Sequence, residues 1–139
     1  MTCEKPMQVL LVEDDPSHAE LVRLAFEDSW LHFTLNHVSD GEKCVTYLQE
    51  LTSHPDTRLP DVILLDLKMP ILSGHEVLAA LNKDSLLRDI PVIVLTTSGN
   101  DTDKARAYDE NALGYVVKPI DAETVHQIVR DLREYYADR

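Results

Sequence analysis

Several polar side chains stand where apolar runs stop, and their types suit phosphorus chemistry. Glu13 and Asp14 follow the run that starts at Met7, Asp66 follows Val62 to Leu65, Thr96 closes "PVIVLT", and Lys118 follows "GYVV". Three carboxylates brought together would repel and raise one another's pKa values unless a cation neutralised them. A hard divalent ion such as Mg²⁺ suits the task, because it takes oxygen ligands and is commonly held by one or two carboxylates with phosphate oxygens completing its shell. With that ion present, Asp66 can act as a nucleophile toward phosphorus, since carboxylates form aspartyl phosphates in other enzymes. Lys118 would pair with the phosphoryl oxygens, and the Thr96 hydroxyl would donate a hydrogen bond to them. Little else is required, because phosphoryl transfer needs chiefly positioning and charge neutralisation.

Such distant residues meet only if the fold collects them. Apolar runs of strand length alternate with segments of helical period, the pattern of βα units around a parallel sheet, so the expected class is α/β. In an open parallel sheet all strand C-termini emerge on one edge, where such folds bind ligands. The first strand is "MQVLLVE"; Asp15 caps the next helix and Pro16 suits its first position, with Leu21, Val22, Ala25 and Phe26 as the inward stripe. "FTLNHV" reads as a polar edge strand, and the helix after it buries Cys44, Leu48 and Leu51. "TSHPDTRLP" is a long αβ loop, 52–60, that either extends the surface or meets a partner. The strand ending at Asp66 leads through Gly74 to a helix carrying Val77, Leu78 and Leu81. After "PVIVLT" comes a polar loop and a short helix of weak amphipathicity. Asp121 caps the last helix, whose Val125, Ile128, Val129, Leu132 and Tyr136 follow helical spacing.

The totals set further bounds. At 139 residues the chain fits one domain, with its core at about 8–134 and no separate output module expected. A net charge of -12 disfavours nucleic acid and anionic membranes as partners and favours proteins or cations. Cys3 and Cys44 have no CxxC spacing, the N-terminus lacks the build of a signal peptide, and a soluble cytoplasmic protein is expected.

Taken together, "VEDD" (12 to 15), "LLDLKMP" with Gly74 beyond it, "VLTTS" (94 to 98) and "YVVKP" (115 to 119) strongly resemble the response-regulator receiver domain of two-component signalling, the CheY-like family. The resemblance runs from about Val9 to Leu132. It implies a flavodoxin-like, doubly wound five-stranded parallel sheet of order 2-1-3-4-5 with five helices. It implies that Asp66 accepts the phosphoryl group, that Asp14 ligates Mg²⁺ directly and Glu13 through water, and that the main-chain carbonyl of Lys68 adds a ligand. Thr96 would swing toward the new phosphoryl group and the aromatic Tyr115 rotate inward, as a population shift. The Lys118-Pro119 bond would be cis, and Lys68 and Ser98 would set how fast water attacks the acyl phosphate, with Lys68 able to approach Glu13. More narrowly, "DLKMP", the loop before the third strand and the Tyr135-Tyr136 ending resemble single-domain regulators paired with phytochrome-type histidine kinases. That implies a phosphohistidine donor on such a kinase, an unidentified downstream protein, and a homodimer through the face formed by helix four, strand five and helix five. Self-phosphorylation and self-dephosphorylation would be the chain's only chemistry, so it would not be an enzyme in the turnover sense.

Blander readings compete. Asp66 could cap a turn, Glu13 and Asp14 could be solvated, and Tyr115 could be packing. A phosphorylation-independent docking module would need the fold but not the acids. A phosphatase working through the same aspartyl phosphate usually wants a second acid two positions on, where Lys68 stands. His18, His32, His37, His54, His75 and His126 lack ligand spacing and read as surface residues.

Overall fold

The most apolar runs fold as strands that bury both faces. In the computed structural model, which describes residues 5–54, 56–97 and 99–138, strands and helices alternate throughout. They are β1 (Met7–Val12), α1 (Pro16–Asp28), β2 (Phe33–Val38), α2 (Gly41–Thr52), β3 (Val62–Asp66), α3 (Gly74–Asn82), β4 (Val92–Thr96), α4 (Asp101–Asp109), β5 (Gly114–Val117) and α5 (Ala122–Ala137). The strands form one parallel five-stranded sheet of order β2-β1-β3-β4-β5.

Strand periodicity splits the core into two layers. Leu10, Val12, Ile63, Leu65, Val92 and Val94 face one side, where they meet Cys44 and Leu48 of α2 and Val77, Leu78 and Leu81 of α3. Val9, Leu11, Val62, Leu64, Ile93 and Leu95 face the other, against Val22 and Phe26 of α1 and Val125, Ile128 and Leu132 of α5. β3 and β4 are buried along their whole lengths, whereas β2 alternates between partly buried and exposed positions, as an edge strand does.

Local signals set the helix starts. Asp15 accepts from the amides of Ser17 and His18, Asp40 from Lys43 and Asp121 from Thr124, while Ser73 and Glu76 form a reciprocal capping box. Two expected core positions are corrected. Leu21 is 50% exposed, because it lies about 100° round the helix from Val22 and falls on the flank of the buried stripe. Tyr136 is 45% exposed, and its hydroxyl donates to the Asp61 carbonyl at 2.6 Å, so it ties α5 to the start of β3 through its polar tip. The long loop is pinned by Arg58, which donates to the Pro6 carbonyl at 3.0 Å and to the Asp61 carboxylate at 2.7 Å. Cys44 is fully buried, which pushes its thiol up to about 12 and makes it a packing group.

Candidate functional site

β1 sits inside the sheet with β2 on one side and β3 on the other, so the connections leaving β1 and β3 diverge and open a crevice at the C-terminal edge. Glu13 and Asp14 leave β1 there, and Asp66 is the last residue of β3. One carboxylate oxygen from each of Glu13, Asp14 and Asp66 lies within 4.8 Å of the others. Glu13 is 1% exposed and Asp66 7%, while Asp14 faces solvent, so the cluster is walled by protein and open on one side.

Lys118 enters from the end of β5. Its ammonium donates to Glu13 Oε1 and stands 3.4 Å from Asp66 Oδ2, with the side chain 7% exposed. A buried lysine between two carboxylates is the pairing that burial of charge demands. Glu13 nevertheless rises from 4.5 to about 7: burial raises it most, Asp66 adds repulsion, and the bonds from Lys118 and the Asp15 amide offset only part of this. Its backbone carbonyl is also engaged, 2.7 Å from His37 Nε2. The Lys118-Pro119 peptide is cis.

The loop after β3 folds back on the strand end. The Lys68 amide donates to Asp66 Oδ1 at 3.1 Å, and the Gly74 amide donates to the Leu67 carbonyl at 3.0 Å. A β-carbon at Gly74 would stand 2.5 Å from the Asp66 carbonyl oxygen and 2.6 Å from Leu67 Cα, so only glycine lets α3 start this close to the strand. The Lys68 side chain is exposed; the cation paired with Glu13 is Lys118. Ser98 lies outside the described residues.

Thr96 ends β4 and is 1% exposed. Tyr115 on β5 packs partly buried against the core layer that includes Val94. The Tyr115 phenol is raised by burial and by nearby Asp103, and lowered by a side-chain hydrogen bond with Thr96, so the two expected switch residues are already in contact.

His18 was not legible as a site residue. It occupies the first turn of α1 with Nδ1 3.2 Å from Lys118 Nζ and 3.9 Å from Glu13 Oε1. The one available signal was its place, three residues after the Asp15 cap, in the helix that starts at the crevice. His75 is also not a free surface group: its side chain is 11% exposed and pairs with Glu110 at the end of α4.

Among the described residues no helix is long and apolar enough to cross a membrane.

Comparison with known proteins agrees with this geometry. The sequence profile described as "Response regulator receiver domain" matches residues 9–130. The chain is 38% identical over 136 residues to the probable methanogenesis regulatory protein FilR2 of Methanothrix harundinacea, covering 98% of this chain and 87% of that protein. The phosphorylated cyanobacterial phytochrome response regulator RcpA superimposes with a TM-score of 0.76 at 33% identity, over 96% of this chain and 95% of RcpA. The bacteriophytochrome response regulator AtBRR gives a TM-score of 0.80 at 34% identity, over 93% and 94%. With acids, threonine and lysine gathered at one edge of a 2-1-3-4-5 sheet and a profile spanning most of its length, the chain belongs to the response regulator receiver domain family.

Proposed function

We propose that this chain is a cytoplasmic switch that takes a phosphoryl group from a histidine kinase onto Asp66, in a reaction that requires Mg²⁺. The observation that carries this reading is the convergence of three carboxylates within 4.8 Å, beside a buried lysine that faces two of them. Among these residues Lys118 supplies the one positive charge, so the cluster fits a hard divalent cation with oxygen ligands. Glu13, Asp14 and Asp66 would hold it, and when bound it supplies positive charge to the phosphoryl oxygens.

The protein's own residues do the remaining work. An Asp66 carboxylate oxygen attacks phosphorus of the phosphohistidine; the P–O bond forms, the P–N bond breaks, and the imidazole leaves and takes a proton from solvent. The Lys68 amide orients the carboxylate through Oδ1, leaving Oδ2 toward Lys118. Lys118 then pairs with a phosphoryl oxygen. Thr96 has one hydroxyl proton, and donating it to the phosphoryl group changes the contact that Tyr115 makes with it. Tyr115 thereby carries the state of Asp66 to the face formed by α4, β5 and α5, where Tyr108 and Val117 are exposed. That face is the proposed surface for the downstream protein, and homodimerisation through it is its second use. Likeness to RcpA and AtBRR supports a phytochrome-type kinase as the donor. Loss of the phosphoryl group to water completes the cycle, with no turnover of other substrates.

The test is incubation with Mg²⁺ and acetyl phosphate, read by intact mass. The expected result is one added phosphoryl group, absent in Asp66→Asn and absent with a chelator. An unmodified wild-type protein contradicts the proposal.

A further inference from the structure

Lys118 carries three N–H donors and no acceptor. In the structure these are faced by Glu13 Oε1, Asp66 Oδ2 at 3.4 Å and His18 Nδ1 at 3.2 Å. Because an ammonium can only donate, His18 Nδ1 must accept, and the ring proton then sits on Nε2, which lies 3.6 Å from Asp15 Oδ2. Asp15 and Lys118 therefore stand at opposite edges of one imidazole. The ring, 36% exposed, shares the wall of a cavity of about 280 Å³ with Leu21, Val22 and Ile120.

Glu13 has two claims on it: Lys118 in this structure, and the cation in the proposed function. His18 belongs only to the first set, since the acidic cluster consists of Glu13, Asp14 and Asp66. We propose that His18 is a positioning residue for phosphoryl transfer, whose Nδ1 keeps the Lys118 ammonium beside Asp66 when Glu13 turns away from it. This rests on the phosphoacceptor reading of Asp66. It adds a residue that the motif set leaves out and that touches the phosphoryl group only through Lys118.

The experiment compares wild type, His18→Leu and His18→Gln. Leucine fills the space without an acceptor, whereas glutamine restores one. Phosphorylation by acetyl phosphate with Mg²⁺ should slow about 3- to 10-fold in His18→Leu, the scale of one ordinary hydrogen bond at a partly exposed site, and stay within about twofold of wild type in His18→Gln. A second readout needs neither metal nor phosphodonor. At about pH 8.5, where imidazoles are neutral, long-range ¹H–¹⁵N spectra of the metal-free protein should show the His18 proton on Nε2. The Nδ1 resonance should move toward its free position in Lys118→Met. A His18 proton on Nδ1, an Nδ1 resonance indifferent to Lys118→Met, equal rates in wild type and His18→Leu, or equal losses in the leucine and glutamine variants would each overturn the proposal. A wild-type protein that takes no phosphoryl group overturns the phosphoacceptor reading and the role built on it, whereas the spectra test the His18–Lys118 contact separately.

Discussion

At the scale of the residue, Glu13 shows how place changes chemistry. In the folded chain it keeps its proton up to about 7, against 4.5 ordinarily, because burial and Asp66 outweigh Lys118. Between those values the folded state binds more protons than the unfolded one, so this group's contribution to stability falls as pH rises through the window. A divalent cation favours the ionised form, so adding Mg²⁺ should recover stability at the upper end. Urea midpoints across the window should therefore fall less steeply in Glu13→Gln than in metal-free wild type; identical slopes would contradict the assignment. Ile71 is a second case. It is 74% exposed with φ of 71°, in a tight turn closed by the Leu72 amide on the Pro70 carbonyl at 2.8 Å. A β-branched residue is strained in the left-handed region, so Ile71→Gly should gain about 0.5–1 kcal/mol after glycine's own entropy cost, read as a raised melting temperature. Asp66, Thr96 and Lys118 were legible because each interrupts or ends an apolar run. His18 was not, because helical period assigns a side of the helix and says nothing of a lysine 100 residues away.

At the scale of the element, the start of α3 is the part most tightly joined to the phosphoacceptor. Gly74→Ala would press a methyl group onto backbone atoms of Asp66 and Leu67, which cannot swing aside as side chains do. The expected cost is about 1–3 kcal/mol of stability by urea unfolding, with slower phosphorylation as the Asp66 backbone shifts. An alanine variant equal to wild type in both would show that the helix start is free to move. Strands and caps were readable from short windows: four-to-six-residue apolar runs, and Asp15 and Asp121 before helical periods. Leu21 and Tyr136 were misplaced because their spacing permits burial while the packing partner that would provide it lies elsewhere. The link between α3 and α4 was invisible for a similar reason. It consists of His75 on Glu110 and Asn82 Nδ2 on the Glu110 carbonyl at 2.8 Å, contacts made between helices rather than along them.

At the scale of the molecule, the site exists because the chain runs outward from β1 in both directions. Periodicity predicts a parallel α/β sheet, but the order 2-1-3-4-5 came from the motif set, since alternation alone does not say which strand is central. That order brings residues 13, 14, 66 and 118 to one rim. The acidic total of -12 agrees with a site that attracts cations, with Lys118 as its buried counter-charge. The most direct test traps the acyl phosphate chemically. Protein treated with Mg²⁺ and acetyl phosphate is reduced with borohydride, which converts a phosphorylated aspartate to homoserine, and its peptides are mapped by mass spectrometry. Homoserine at position 66 alone is the predicted result; homoserine at 13, 14 or any other position, or none anywhere, would contradict it.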